Sequence, residues 1–263
     1  MRVFDFNSAI VRLPGSSVVD GLRAGDGPAP LLEMVRAEHD AYVGALRAAG
    51  VRVMTLNALE QFPDSIFVED PALVFSQGAI LLRPGAPSRQ GEAAALAPAL
   101  ADRFSRVLQL PGGHADGGDV LVTPWGVLIG LSARTNEAGA IALTGLLASL
   151  GIRSQVVHTP RGTLHLKSDC ALVDEETVLV TESLARSGMF DHCRKLIVPS
   201  EEPTAANVLR VNDRILVRAE CPRTADLLAG HGLTVVPLPT AQIARIDAGL
   251  SCMSLRWLDP ALV

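Results

Sequence analysis

A unit of about 45 residues recurs along the chain: a polar residue, two short apolar runs split by a turn, a helical stretch, then another apolar run. The leading polar residues are Asp70, Asp116, His165, Asn207 and Cys252. ALVF and AILL follow the first, VLV and VLI the second, CALV and VLVT the third, VLRV and RILV the fourth, and MSLRWL the last. Self-similarity at this period indicates one supersecondary unit repeated around an axis or along a solenoid. If the units close into a ring, their leading residues meet at its centre. Carboxylates, an imidazole and a thiol from distant parts of the chain would then share one site.

Periodicity near 3.6 residues with suitable ends predicts helices over 30–49 (stopped by Gly50), 90–104 (after Ser88), 137–150 (stopped by Gly151) and 223–229 (before Gly230), with a shorter one over 183–194. Each is followed by an apolar, β-branched run, starting at Val51, Ser105, Ile152, Lys195 and Leu233. The unit is therefore β-β-α-β. Four copies are complete, whereas the copy that begins at Cys252 ends after one strand. The strand over 9–13, the helix after Pro30 and the strand from Val51 supply what it lacks. Pairing the last strand with the first would close the ring and remove two exposed sheet edges. The expected fold is α/β, a five-bladed α/β propeller in a single domain over residues 1–263. A doubly wound sheet needs strands alternating singly with helices, and here they come in threes.

A hydrophobic content of 48% and a mean hydropathy of +0.30 supply a sizeable core. The longest Pro/Gly stretch, Gly25 to Pro30, is no longer than an ordinary loop. A net charge of −5 without a basic run argues against a nucleic-acid partner. No stretch reaches the length of a membrane span, and Asp5, Asn7 and Arg12 break the start as a signal peptide. The four cysteines show no CxxC spacing, so reduced thiols in a cytoplasmic protein are expected. The expected partner is a small molecule, with a homodimer compatible with the composition.

Alone, Cys252 reads as a small buried hydrophobe, since free Cys is among the most buried residue types. Its place in the repeat makes it a candidate nucleophile, whereas Cys170, Cys193 and Cys221 have no such place. His165 leads the unit two before and becomes a candidate acid/base. Asp116 and Asp119 flank a glycine pair in HADGGDVLV, which lets the backbone turn sharply. His114 and Asp116 lack a third ligand at a familiar spacing, so no metal is expected, and no Gly-Lys-Ser/Thr follows the glycines as in a phosphate loop. Asp64, Glu69 and Asp70 interrupt an apolar run in PDSIFVEDPALV and must be paired if buried, for which a cationic ligand is suited. Adjacent residues on a strand point to opposite faces, so Glu69 and Asp70 reach one ligand only at a strand end, which Pro71 supports. Arg89 and Arg134 stand at loop-to-helix junctions. Either is ordinarily a solvated surface residue, but a substrate carboxylate would suit their two-pronged geometry.

Taken together, FVED, APSR, DGGDVL, LSxRTN, HLKS and the terminal Cys resemble the dimethylarginine dimethylaminohydrolases of the guanidino-group-modifying superfamily, which have a pentein α/β-propeller fold. The matches run in order from near Leu13 to Cys252 and cover nearly the whole chain. The resemblance implies hydrolysis of N-omega-methylated arginines to citrulline plus methylamine or dimethylamine, without cofactor or metal. It implies Cys252 as nucleophile, His165 as general acid/base and Asp116 as its acidic support. It further implies Glu69 and Asp70 on the guanidinium, Asp64 on the amino group, Arg89 and Arg134 on the carboxylate, and backbone carbonyls of Leu13 and Ile246 on the substrate. The alternatives are an arginine deiminase, whose family resembles longer chains with a helical insertion, and a catalytically idle arginine-binding protein on the same fold.

Overall fold

The apolar runs of the repeat pair within each unit in the computed structural model, which describes residues 2–262. The first blade joins the two ends of the chain: β1 (Ser8–Arg12) lies between β15 (Leu255–Trp257) and β2 (Arg52–Leu56), with α1 (Leu32–Ala48) connecting β1 to β2. The second contains β3 (Ala72–Phe75), β4 (Gly78–Leu81), α2 (Glu92–Ala101) and β5 (Val107–Gln109). The third contains β6 (Val120–Thr123), β7 (Gly126–Leu131), α3 (Glu137–Ser149) and β8 (Ser154–His158). The fourth contains β9 (Cys170–Leu172), β10 (Thr177–Val180), α4 (Glu182–Ala185) and β11 (Arg194–Ile197). The fifth contains β12 (Leu209–Val211), β13 (Arg214–Arg218), α5 (Pro222–Gly230) and β14 (Thr234–Leu238).

In every blade the inner strand pairs antiparallel with the middle one, and the middle strand pairs parallel with the outer one. The parallel step requires a crossover, which is why each unit carries a helix there. The middle strands read as continuous apolar runs because both faces are covered; β1, β4 and β10 are buried throughout. The outer strands β2 and β8 alternate between exposed and half-buried residues, as sheet edges do. Ring closure follows the expected pairing, with Ser8 opposite Trp257 and Ile10 opposite Leu255. Inside, Tyr42 of α1 is fully buried, and its hydroxyl lies 2.6 Å from Ser254 Oγ, tying the helix to the approach to β15.

Three helices differ from the sequence expectation. α1 starts at Leu32 rather than Pro30. α2 starts at Glu92 because Gly91, at φ +130°, breaks it from a separate 3-10 turn over Pro87–Arg89. The helix expected over 183–194 is a single turn, since Gly188 adopts φ +80° and the chain reverses there. None of the described helices is long and apolar enough to cross a membrane.

The inner strands β15, β3, β6, β9 and β12 surround a central channel. Short turns precede them: 3-10 turns at Gly117–Asp119, Leu166–Ser168, Pro203–Ala206 and Ser251–Met253, and a non-helical turn before β3. These turns gather the five leading residues at one end of the channel.

Candidate active site

The glycine pair of HADGGDVLV explains how the turns approach so closely. A Cβ on Gly117 would lie 2.0 Å from the Glu69 carbonyl oxygen, and one on Gly118 would lie 2.7 Å from both Cγ and Nδ1 of His165. No side chain fits either position. Gly118 N–H donates to Asp70 Oδ1 (3.1 Å) and Gly117 N–H to the Asp70 carbonyl (3.0 Å), locking two turns together. Asn207 completes the ring: its Nδ2 donates to the Lys167 carbonyl (2.8 Å) and Ser251 Oγ (3.1 Å), while its Oδ1 accepts from Ser251 N–H (3.0 Å).

His165 Nε2 lies 3.0 Å from Asp116 Oδ2, and Asp116 Oδ1 accepts from Gly85 N–H (2.7 Å). Burial opposes a charge on His165, but Asp70, Asp116 and Asp119 outweigh it and raise its pKa to about 9. The imidazole is therefore cationic at neutral pH, with Nε2 on Asp116 and Nδ1 directed past Gly118. Asp119 is fully buried and accepts from the hydroxyls of Ser132 and Thr135 (2.6 Å each) and from Leu166 N–H (2.8 Å). It thereby fixes the turn that carries His165.

Cys252 is half-buried where two cavities meet; His165, Asp247, Ala248 and Cys252 line both. The narrow one, about 40 Å³, is also lined by Asp64, Asp70, Arg89, Asp116, Arg134 and Ile246. The other, about 780 Å³, opens outward between Leu131, Pro160 and Ala244. Burial, then Asp70 and Glu69, push the Cys252 thiol up to about 12, so it is neutral in the empty site. Asp70, Asp116 and His165 bring ligand atoms within 4.8 Å of one another. They fit a metal poorly: Asp70 is ion-paired with Arg89, and a protonated imidazole offers no lone pair.

Three expected site residues are placed differently from the simplest reading. Leu13 is 42% exposed and lines neither cavity, because its N–H donates to the Leu56 carbonyl (3.0 Å) and continues the pairing of β1 with β2. Leu22, further along the same segment, lines the narrow cavity, and its N–H donates to Asp64 Oδ1 (2.9 Å). The Glu69 carboxylate points away from the narrow cavity to Lys167 Nζ (2.7 Å), Arg256 Nη2 (2.9 Å) and Ser251 Oγ (3.0 Å). Its backbone N–H donates to the Cys252 carbonyl (3.1 Å), so Glu69 holds the turn that carries Cys252. Arg89 is buried and mostly spent internally. Its Nε and Nη2 grip Glu92 (2.9 and 2.7 Å), Nη2 also donates to the Phe67 and Asp64 carbonyls (2.9 and 3.2 Å), and Nη1 pairs with Asp70. A single Nη1 hydrogen is left for a ligand. Arg134 lines the same cavity and its guanidinium makes no ion pair among the described residues. Glu92 and Arg256 have no signature in sequence beyond charge, since their importance lies in partners 3 to 187 residues away, and Lys167 stands out there only as part of HLKS.

The family model for eukaryotic N,N-dimethylarginine dimethylhydrolase matches residues 29–198. The chain is 36% identical over 255 residues to the N(G),N(G)-dimethylarginine dimethylaminohydrolase of Pseudomonas aeruginosa, covering 96% of this chain and 100% of the relative. The chain belongs to the dimethylarginine dimethylaminohydrolase family. A second member, from Streptomyces coelicolor, is 34% identical over 257 residues, covering 94% of this chain and 96% of the relative. A solved structure of the Pseudomonas aeruginosa family member, a cysteine-to-serine mutant complexed with citrulline, superposes with a TM-score of 0.93 at 35% identity, covering 96% of this chain and all of that one. These dimethylarginine dimethylaminohydrolase relatives match across the length of all five blades, in agreement with the propeller expected from the repeat.

Proposed function

We propose that this chain hydrolyses N-omega-methylated arginines to citrulline plus methylamine or dimethylamine, as one catalytic unit over residues 1–263. The observation that carries the reading is the convergence of buried carboxylates, a thiol and an imidazole on one narrow cavity. Asp64, Asp70 and Asp116, each at most 4% exposed, line it together with Cys252 and His165. A planar cation is suited to such carboxylates.

A guanidinium seated near Asp70 places its carbon against Cys252 Sγ. A unit positive charge about 4 Å from sulfur favours the thiolate by about 4 kcal/mol at an effective dielectric of about 20, roughly a thousandfold in proton affinity. The substrate thus raises the thiolate fraction of its own nucleophile about a thousandfold, the thiol proton passing to solvent. The thiolate adds to the guanidinium carbon, His165 gives its proton to the departing amine, and a thiouronium remains on Cys252. Neutral His165 then takes a proton from water, which adds to the same carbon, and the carbon–sulfur bond breaks to release citrulline and the thiolate. Asp116 holds the imidazole in place and stabilises its charged form. Arg134, assisted by the remaining N–H of Arg89, suits the substrate carboxylate. Asp64 Oδ2 and the Leu22 and Ile246 backbone suit its amino group.

The test is citrulline and alkylamine formation from dimethylarginine and arginine, assayed side by side. Production from dimethylarginine at least tenfold faster than from arginine is expected. Equal rates, or citrulline and ammonia from arginine alone, would instead identify a deiminase, and binding without turnover would identify an idle protein.

A further inference from the structure

The central channel has a second end. On the opposite side of the Glu69–Lys167–Arg256 ion cluster from the narrow cavity, the five inner strands enclose a cavity of about 350 Å³. Its wall is mostly apolar, formed by Phe4, Phe75, Leu121, Leu172, Leu209 and Trp257, and four cationic side chains (Arg2, Lys167, Arg210 and Arg256) against two carboxylates (Asp5 and Glu69) also line it. That volume and lining are those of a small-molecule site with few polar groups.

Its charge is unbalanced. Arg2 and Arg210 lie on the same Phe4 ring, 5.0 and 5.1 Å from its centroid. Arg2 is neutralised by Asp5 at 2.8 Å, but Arg210 has no such partner among the described residues. Arg210 Nε donates to the Asn212 carbonyl (2.9 Å), Nη2 is accessible and has no acceptor among the described residues, and Asp174, Asp213 and Asp5 act on it only through space. Burial and the neighbouring Arg2 both disfavour its charge. An accessible guanidinium N–H without an acceptor is suited to a carboxylate.

We propose that this rear channel binds a small amphiphilic carboxylate, its apolar chain against the inner strands and its charge held by Arg210 beside Arg2. Octanoate is a suitable probe, titrated calorimetrically into the full chain alongside neutral octanamide and acetate. Saturable single-site binding of octanoate is expected, with octanamide and acetate at least tenfold weaker. Arg210→Gln should weaken octanoate at least tenfold while leaving citrulline formation from dimethylarginine unchanged. Val122→Trp, at a partly exposed position on the channel wall, should obstruct it with little risk to folding. Arg134→Ala should leave octanoate binding intact, which separates this site from the one at Cys252. The proposal is overturned if octanoate gives no saturable heat, if octanamide binds equally well, or if affinity is lost with Arg134→Ala and kept with Arg210→Gln.

Discussion

Gly118 carries no side chain and yet sets the position of His165. Gly118→Ala puts a methyl group 2.7 Å from the imidazole, so His165 must shift. We expect kcat to fall at least a hundredfold, with circular dichroism unchanged; near-normal turnover would show that His165 has room to move. Cys252→Ser should abolish turnover while ligand affinity, measured with citrulline, stays within about tenfold, roughly 1.4 kcal/mol. The same change at Cys170, Cys193 or Cys221 should leave activity mostly intact. The two arginines are expected to part company. Arg134→Ala should raise KM for dimethylarginine strongly and leave hydrolysis of a methylated guanidine lacking the carboxylate unchanged. Arg89→Ala leaves Asp70 and Glu92 buried without their cation and should destabilise the protein by several kcal/mol. Equal KM effects of the two changes, with equal thermal stability, would place Arg89 on the substrate rather than in the scaffold.

At the scale of elements, the turns carry the function and the helices position the turns. α3 begins at Asn136, whose Oδ1 accepts from Gly139 N–H (2.8 Å) inside the helix and from His114 N–H (3.1 Å) in the turn leading to Asp116. One side chain therefore caps the helix and fastens it to the catalytic turn. Replacing an Asn cap by Ala typically costs about 1 kcal/mol, and here the second bond is lost too. Asn136→Ala should lower the unfolding free energy, read by urea denaturation, by an amount near the upper end of about 0.5–2 kcal/mol, with kcat reduced as well. An unchanged kcat would mean that the turn holds Asp116 without α3.

For the whole molecule, the charge at the ring centre couples stability to pH. His165 titrates at about 9 in the folded protein, above its unfolded value near 6.5. Its protonated form therefore stabilises the fold fully below about pH 6.5, and this contribution is lost as pH rises through about 9. The half-buried Cys252 thiol, raised to about 12, adds a loss of stability above its unfolded value. The urea midpoint of the ligand-free protein should be higher at pH 6 than at pH 9.5, and His165→Gln should flatten that difference. A wild-type midpoint that rises over this range would contradict the imidazolium assignment.

The sequence by itself determined the number of blades, the order of elements in each and the closure of the ring. Those are set by local periodicity and by a count of strands, which survive without knowledge of contacts. It also singled out Cys252, His165 and Asp116, because equivalent positions in a closed repeat have to converge. Only the tertiary structure decided how the charges are shared. Buried carboxylates and cations crowd one end of the channel, and which pairs form depends on distances of a few ångströms between residues far apart in sequence. That is why Arg89 turned inward to Glu92 and Asp70, why Glu69 joined Lys167 and Arg256, and why Leu22 rather than Leu13 lines the cavity.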